Sequence, residues 1–186
     1  MLSDFRRRKL SAGFGELDVD GDGLVGPGDI ELLIRNHGDA YGFTVGTPEY
    51  EVLADRTRAV WQQLRQFDSD GDGQVSLAEY VAGFEAFLSR RDEFMASMRE
   101  LVDAFYLLAD RDSTGALTVD ELIRHYRAWN HSDDQARAAF PRLDRDGDGG
   151  ITKAEWMADL EEYYYSEDPD APGSWLAPLP TGGAPG

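Results

Sequence analysis

The strongest constraint on the fold of this chain is a twelve-residue acidic pattern that occurs four times, at residues 18–29, 68–79, 110–121 and 144–155. Each copy has aspartate at its first and third positions, glycine at its sixth and an acid at its twelfth. One copy alone could be an acidic turn. Four copies, each flanked by apolar residues at helical spacing, indicate a loop with one repeated structural role.

The spacing matches the coordination of a hard cation by oxygen ligands. Positions 1, 3 and 5 direct side-chain oxygens inward, position 6 allows a sharp turn, position 7 offers its carbonyl, and the acid at position 12 closes the shell with both oxygens. This is the EF-hand calcium loop, and we predict three or four bound Ca²⁺ ions. The predicted ligands are Asp18, Asp20, Asp22, Leu24, Asp29, Asp68, Asp70, Asp72, Gln74, Glu79, Asp110, Asp112, Thr114, Ala116, Glu121, Asp144, Asp146, Asp148, Gly150 and Glu155.

Two of the loops are complete, at 68–79 and 144–155, and each of the others departs from the pattern at one ligand. Thr114 gives the third loop a neutral hydroxyl at position 5, so that loop carries less ligand charge and is expected to bind more weakly. Asp29 closes the first loop with a side chain one methylene shorter than Glu. That loop must contract for both oxygens to bind, and we expect Mg²⁺ to compete there.

Composition argues against several other classes of function. The 186 residues carry a formal charge of −18, which disfavours nucleic acid and anionic membranes as partners because both attract basic surfaces. The sequence has no cysteine, so disulfides and thiolate chemistry are excluded. It also has no apolar run of membrane-spanning length and no signal-peptide core, and we expect a cytoplasmic protein. The basic cluster at 6–9 is expected to form the solvated side of the first helix.

The apolar pattern predicts an all-α fold in which a helix enters and leaves every loop. Loop position 8 holds residues suited to a short antiparallel bridge between loops one and two and between loops three and four: Val25, Val75, Leu117 and Ile151. We therefore predict two paired EF-hand lobes, residues 1–90 and 91–165, packed into one compact unit. The join at 89–93 contains no Pro or Gly and is not a long flexible tether.

Local signals mark further boundaries. Thr47 followed by Pro48 predicts a helix start, and Ser132 with Gln135 predicts a capping box. The inserted segment 36–47 is expected to fold onto the first lobe. The Pro- and Gly-rich tail, 166–186, cannot be helical, but it carries large apolar side chains that are costly to leave in water. We predict that the tail packs on the body at 175–179, through Trp175, Leu176 and Leu179.

The chain resembles calerythrin-type proteins, the bacterial relatives of the sarcoplasmic calcium-binding proteins. The resemblance rests on the four unevenly spaced EF-hands, the insertion after the first, and the closing segment Asp-Pro-Asp-Ala-Pro-Gly-Ser-Trp-Leu at 168–176, and it covers nearly the whole chain. It implies a soluble, compact calcium binder without catalytic activity, acting as a buffer or signal modulator. Members of that group often have a degenerate loop, whereas all four loops here retain acids at positions 1, 3 and 12.

Other functions remain as alternatives. A calcium sensor exposes a surface to a regulatory protein, and such surfaces are often rich in Met; only four Met occur here. A coelenterazine-type photoprotein is less favoured and rests on the fragment His125, Tyr126 and Trp129. A dockerin-like module fits only the first loop. No enzymatic constellation is present, and we expect a monomer with calcium ions as its partners, no nucleic acid or membrane, and a protein target left open.

Overall fold

The computed structural model describes residues 2–177, except for the side chain of Ala104. Within this part the helices are α1 (Asp4–Leu17), α2 (Pro27–Tyr41), α3 (Pro48–Leu64), α4 (Leu77–Leu88), α5 (Arg91–Ala109), α6 (Val119–Ala128), α7 (Asp133–Leu143) and α8 (Lys153–Tyr165). Two-residue strands lie in the loops: β1 (Leu24–Val25), β2 (Val75–Ser76), β3 (Ala116–Leu117) and β4 (Ile151–Thr152). Short 3₁₀ turns occupy Arg65–Phe67 and Pro172–Trp175.

The short strands join the acidic loops in two pairs. β1 pairs antiparallel with β2, and β3 pairs antiparallel with β4. The residues at loop position 8 lie opposite each other, Val25 with Val75 and Leu117 with Ile151, and all four are buried. The predicted bridges and the all-α EF-hand fold are therefore confirmed. Helices α1 to α4 carry one pair of loops, and α5 to α8 carry the other.

Both predicted helix starts are confirmed. The Thr47 hydroxyl accepts a hydrogen bond from the backbone N–H of Tyr50 at the beginning of α3, and Pro48 occupies the first turn. The Ser132 hydroxyl accepts from the N–H of Gln135, and the Gln135 side chain accepts from the N–H of Ser132. These contacts satisfy helical N–H groups that have no partner within the helix.

The two halves interlock through α2 and α6. The Tyr41 hydroxyl, at the end of α2, lies 2.9 Å from Nδ1 of His125 in α6. The guanidinium of Arg111, in the third loop, donates to the Tyr41 carbonyl and lies over the Phe43 ring. The inserted segment was expected to fold onto the first lobe, but these contacts join its beginning to the second pair of loops. Tyr50 of α3 also packs against it, close to Gly38.

A second connection joins α1 to α8. Lys9 is only 1% exposed, and its ammonium donates to the carbonyl of Ser166 at 2.9 Å and lies above the rings of Phe5 and Tyr163. Burial, and after it the charge of Arg6, lowers the pKa of Lys9 to about 8. The expectation that the basic cluster forms a solvated surface is therefore wrong for Lys9, because its ammonium is covered by α8.

The C-terminal segment lies against α7 and α8. The Tyr126 hydroxyl donates to the carbonyl of Trp175 at 2.6 Å, and the Arg142 guanidinium lies 5.3 Å from the centre of the Trp175 ring. Gly173 approaches α8 so closely that a Cβ there would come within 2.1 Å of the Asp159 carbonyl. Trp175 and Leu176 thus contact the body, whereas Leu179 lies outside the described residues.

Buried side chains from both halves form one continuous hydrophobic core, which includes Phe14, Ile34, Phe84, Val102, Tyr126 and Trp156. Among residues 2–177, none of the helices combines the length and the apolar character needed to cross a membrane.

Candidate metal centres

The fold brings the two ends of each acidic loop together. Position 1 of each loop is the residue that caps the end of the preceding helix: Asp18, Asp68, Asp110 and Asp144. Position 12 lies in the first turn of the following helix, where its side chain accepts from the backbone N–H of the N-cap residue immediately before that helix. A helix N-terminus carries partial positive charge and stabilises the closing carboxylate there.

Glycine at position 6 shapes each turn. Its φ is 89° at Gly23, 88° at Gly73, 87° at Gly115 and 95° at Gly149, a left-handed region that side chains disfavour. In every loop its N–H donates to a carboxylate oxygen of the position-1 aspartate at 3.0 Å. One oxygen of this aspartate is thus held by the backbone in every loop. In loops two to four the other oxygen also accepts a backbone N–H, from Gly71, Thr114 and Gly147.

The closing glutamate of loops two to four links the two sides of its loop. One oxygen of Glu79 accepts from the N–H and hydroxyl of Ser69, and the other accepts from the N–H and hydroxyl of Ser76. Hydrogen bonds from the Ser76 and Ser69 backbone, followed by those from their hydroxyls, lower the pKa of Glu79 to about 2. Glu121 and Glu155 make the equivalent backbone contacts, so all three carboxylates are pre-positioned.

Acidic ligand atoms converge in each loop to within 4.8 Å of one another. In loops two to four the converging groups are positions 1, 3 and 12, namely Asp68, Asp70 and Glu79; Asp110, Asp112 and Glu121; and Asp144, Asp146 and Glu155. Like charges at such short distances repel unless a cation lies between them. The donor set, all hard oxygens, fits a divalent ion such as Ca²⁺.

Loop one converges differently. Its group consists of Asp18, Asp20 and Asp22, and the closing Asp29 is not part of it. The two oxygens of Asp29 accept from the N–H groups of Val19 and Gly26, both at 2.9 Å, which are the same two loop positions that bond the closing glutamates. Oδ1 of Asp18 is buried and has no hydrogen-bond partner among the described residues, which suits an oxygen that faces a cation. The shorter side chain at position 12 accounts for the difference from the other loops.

Loop three is strained as well as less charged. Ser113, at position 4, has φ of 57°, whereas glycine occupies the same position in the other loops. A left-handed conformation costs a non-glycine residue about 1 to 2 kcal/mol. The Thr114 hydroxyl at position 5 donates to the carbonyl of Ala116 at 3.1 Å, so one predicted ligand is hydrogen-bonded to another.

The predicted carbonyl ligands at position 7 lie at the bridges. Leu24 and Ala116 begin β1 and β3, and Gln74 and Gly150 immediately precede β2 and β4. In loops one, two and four the N–H of this residue donates to the position-5 aspartate at 2.8 to 2.9 Å. The paired strands therefore fix the backbone that would present these carbonyls.

Sequence reasoning missed a cluster beside loop four. Arg145, at loop position 2, donates through Nε and a terminal nitrogen to Asp159 of α8 at 2.9 and 2.6 Å, and also contacts Glu162. Asp159 is fully buried, and burial raises its pKa to about 7 in spite of the guanidinium. Glu162 in turn accepts from the N–H of Gly173 at 3.0 Å. A signal was present, since Asp159 lies three residues after Trp156 and four before Tyr163, the spacing that places it on the apolar face of α8.

Comparison with known proteins agrees with the loop geometry. An EF-hand family model matches residues 62–84 and 136–160, which contain the two complete loops. Calerythrin of Saccharopolyspora erythraea is 21% identical over 160 residues, which cover 84% of this chain and 90% of calerythrin.

Solved structures share the fold. A Streptomyces coelicolor calcium-binding protein, described in terms of calcium-mediated regulation, has a TM-score of 0.73 and 28% identity, with 86% of this chain and 97% of that one covered. The amphioxus sarcoplasmic calcium-binding protein has a TM-score of 0.75 and 17% identity, covering 97% and 100%. The photoprotein clytin has a TM-score of 0.73 and 19% identity, with 96% of each chain covered, a likeness that concerns the fold alone.

Proposed function

The chain belongs to the EF-hand calcium-binding proteins of the calerythrin and sarcoplasmic type, and from this premise we propose that it acts as a calcium buffer. It binds Ca²⁺ in loops that form part of one closed body. We propose the twenty loop residues predicted from the sequence as the ligands and three or four ions as the capacity. Loops two and four, which have complete ligand sets, are the tightest sites.

The observation that carries the proposal is the coverage of the apolar helix faces. A sensor opens its paired helices and presents a hydrophobic groove to a target. Here the apolar faces of both halves contribute to one core, and α1 is joined to α8 through the buried Lys9. The large hydrophobic residues that are exposed in the described part of the chain lie on separate elements: Val45, Val52, Leu77 and Leu107.

A regulatory role is the second candidate. It is supported by the Streptomyces coelicolor relative, whose description refers to calcium-mediated regulation. In that case calcium would have to release a covered surface. The segment at 172–177 is the candidate for this release, and its polar contacts with the body come from Tyr126, Glu162 and Arg142.

Binding of the dye ANS separates the two roles. Adding calcium to the metal-free protein should order the loops without exposing apolar surface, so ANS fluorescence should fall or stay unchanged. A chain that ends at Ser166 lacks the segment that covers α7 and α8. In the calcium form it should bind more ANS than the full chain, with the same number of calcium ions. A chain that ends at Ala177 keeps the segment and serves as the control.

Strong ANS binding by the full-length chain on calcium addition would overturn the buffer proposal and favour the regulatory one. Equal ANS binding by the chains that end at Ser166 and Ala177 would show that the 172–177 segment does not cover an apolar surface.

We also propose that Mg²⁺ competes at loop one, and Asp29→Glu tests this. The longer side chain can reach the group formed by Asp18, Asp20 and Asp22 with both oxygens, so calcium should bind loop one about tenfold more tightly and magnesium should displace it less. Calorimetric titration with calcium, with and without Mg²⁺, measures both effects. Asp39→Glu makes the same change outside the loops and should alter neither. An unchanged titration in Asp29→Glu would show that position 12 does not limit this site.

The remaining parts of the proposal concern the state of the protein. We propose a monomer in the cytoplasm, without catalytic activity and without nucleic-acid or membrane partners, divided into lobes at 1–90 and 91–165 and a tail at 166–186. The acidic charge of −18 supports the exclusion of anionic partners. Light emission of the photoprotein kind is not proposed, because the support for it is likeness of fold.

A further inference from the structure

The core contains a large cavity that calcium binding does not use. Its volume is about 570 Å³, and side chains of α1 to α6 and α8 line it. Protein interiors are normally packed to the density of organic crystals, with voids rarely larger than a water molecule. A void of this size falls within the range of roughly 300 to 1,000 Å³ that is typical of small-molecule sites.

The lining is apolar and aromatic, and several of its polar groups are unpaired. Tyr80 is 4% exposed and Tyr164 is half-buried, and both line the cavity. Neither phenol hydroxyl forms a hydrogen bond to a residue between 2 and 177. Because both residues line the cavity, their hydroxyls are available to donate to a ligand that accepts hydrogen bonds.

His125 adds a third unpaired group. Its Nδ1 is bonded to the Tyr41 hydroxyl at 2.9 Å, and its Nε2 has no hydrogen-bond partner in the described part of the chain. The ring retains accessible surface although it lies deep in the protein, because it faces the cavity. Burial lowers the pKa of His125 to about 3, and the ring is therefore neutral.

The charges around the cavity exclude an anionic ligand. Glu16 lines it and is paired with His131 at 2.7 Å, and the nearest cationic lining residue, Arg90, is exposed. An anion inside would meet the Glu16 carboxylate without a buried cation to balance it. The aromatic walls suit a flat ring system, since rings stack or meet edge to face.

We propose that this cavity binds an uncharged, ring-containing apolar molecule with carbonyl oxygens, of the aromatic ketone or quinone class. The ligand's carbonyls accept from the hydroxyls of Tyr80 and Tyr164, and its rings lie against the aromatic wall. This function goes beyond calcium binding and does not require the loops to bind metal.

The ligand enters between α3 and α5. At this point the lining includes the exposed Gln63 and Gln66 and the half-buried Ser97 and Leu101. The Ser97 hydroxyl donates to the Gln63 side chain at 3.2 Å and joins the two helices at the surface. A single side-chain hydrogen bond in contact with solvent is weak enough to open and close readily.

The test uses prodan, a neutral aromatic ketone whose fluorescence reports both polarity and hydrogen bonding to its carbonyl. Calcium-saturated protein should bind prodan saturably in a 1:1 ratio with blue-shifted emission. Leu101→Trp places an indole in the entrance and should weaken binding by roughly tenfold or more, the loss expected from over-filling a packed site. Leu107→Trp is the matched control on the same helix, because Leu107 is 69% exposed and does not line the cavity.

Calcium titration of the same samples shows whether each variant has folded. If Leu101→Trp does not fold, Val60→Phe fills the opposite wall on α3 and takes its place. Tyr164→Phe should shift the emission of bound prodan further to the blue, because the carbonyl loses a hydrogen-bond donor. Absence of saturable binding, or equal affinity in Leu101→Trp and Leu107→Trp, would overturn the proposal.

The other possible occupant is the chain itself, since Leu176 and Ala177 line the cavity and residues 178–186 follow them. A chain that ends at Ala177 should bind prodan as the full chain does. Binding by the shortened chain alone would mean that the C-terminal residues fill the cavity, and the proposal would be wrong. A failure of calcium binding would appear in the titration and not in the prodan signal, so the two proposals fail separately.

Discussion

Glu79→Gln and Glu155→Gln should each remove most of the calcium affinity of one loop and leave the other loops almost unchanged. The substitution keeps the shape of the side chain but removes the charge, so a bidentate carboxylate becomes a neutral and poorer ligand. We expect the affinity of the altered loop to fall by about two orders of magnitude, a span comparable to the difference between classes of EF-hand. Calorimetric titration should show one fewer tight site than the natural chain, which we expect to bind three or four ions.

Thermal unfolding gives an independent measure of the same loss. A ligand that binds only the folded state stabilises it in proportion to the logarithm of its concentration over its dissociation constant. Losing a hundredfold in affinity at one loop should therefore lower the melting temperature in saturating calcium by about 5 to 10 °C for a chain of this length. In the metal-free state the effect should be small.

Glu100→Gln is the control, because it removes the same charge from an exposed position on α5 outside the loops. It should leave the titration and the melting temperature in calcium unchanged. If the titration of Glu79→Gln or Glu155→Gln equalled that of the natural chain, the loop in question would not bind calcium. A stoichiometry of two or fewer for the natural chain would contradict the proposed capacity.

The loops could be predicted from the sequence because their stereochemistry is local. Glycine at position 6 and an acid at position 12 are required by a turn of twelve residues around one ion, and no distant residue changes that requirement. The pairing of loops followed from loop position 8, where Val25, Val75 and Ile151 favour strands although the surrounding pattern is helical, and Leu117 occupies the same position in loop three. The caps at Thr47 and Ser132 are equally local.

Contacts between the halves could not be predicted in the same way. A basic cluster near the N-terminus is usually solvated, and the sequence contains no sign that α8 covers Lys9 with backbone carbonyls and aromatic rings. The sequence of the inserted segment likewise does not indicate which part of the protein it packs against. In the structure, a hydrogen bond from Arg111 to Tyr41 joins it to the third loop. Such contacts depend on how two amphipathic helices pack, and many pairings satisfy the same pattern.

The cavity was also beyond prediction, because its lining residues have the helical spacing of ordinary core residues. Tyr80, His125 and Tyr164 face inward as core aromatics do. Only the three-dimensional arrangement shows that the two phenol hydroxyls and Nε2 of His125 have no hydrogen-bond partner among residues 2–177. From the sequence alone, His125 forms part of a photoprotein-like fragment with Tyr126 and Trp129. In the structure, Tyr126 donates instead to the C-terminal segment.

Arg145→Ala should give a large loss of stability although Arg145 lies outside the hydrophobic core. It removes the guanidinium that contacts Asp159 and Glu162 and leaves the Asp159 carboxylate, which has no exposed surface, without a cation. Breaking a buried ion pair by removing one partner costs about 3 to 5 kcal/mol. Because Arg145 itself is 29% exposed, we expect about 3 kcal/mol, or roughly 6 to 12 °C in melting temperature.

Arg58→Ala is the matched control. Arg58 also contacts a carboxylate through two guanidinium nitrogens, one to each oxygen of Glu31, but both side chains are exposed, at 46% and 56%. Exposed ion pairs contribute about 0 to 1 kcal/mol, so this variant should unfold close to the natural chain. Equal losses in the two variants would mean that burial of Asp159 does not determine the strength of the Arg145 contact.

The dependence on pH identifies Asp159 as the cause. Its pKa is raised to about 7 in the folded protein, above the ordinary value of about 3.9, so the folded state binds the proton more tightly than the unfolded state. Stability from this group is therefore full at low pH and is lost as the pH rises through 7. Without Arg145 the pKa should rise further, and the deficit of Arg145→Ala should be larger at pH 8 than at pH 6.

Adding Asp159→Asn to Arg145→Ala replaces the unpaired charge with a neutral amide. The double variant should recover much of the lost stability at pH 8 and show little difference between the two pH values, since no carboxylate remains to titrate at that position. The measurement is denaturant unfolding in saturating calcium of the natural chain, Arg145→Ala, Arg58→Ala and the double variant. A double variant no more stable than Arg145→Ala would show that the loss comes from displaced packing of loop four against α8, with the buried carboxylate playing no part.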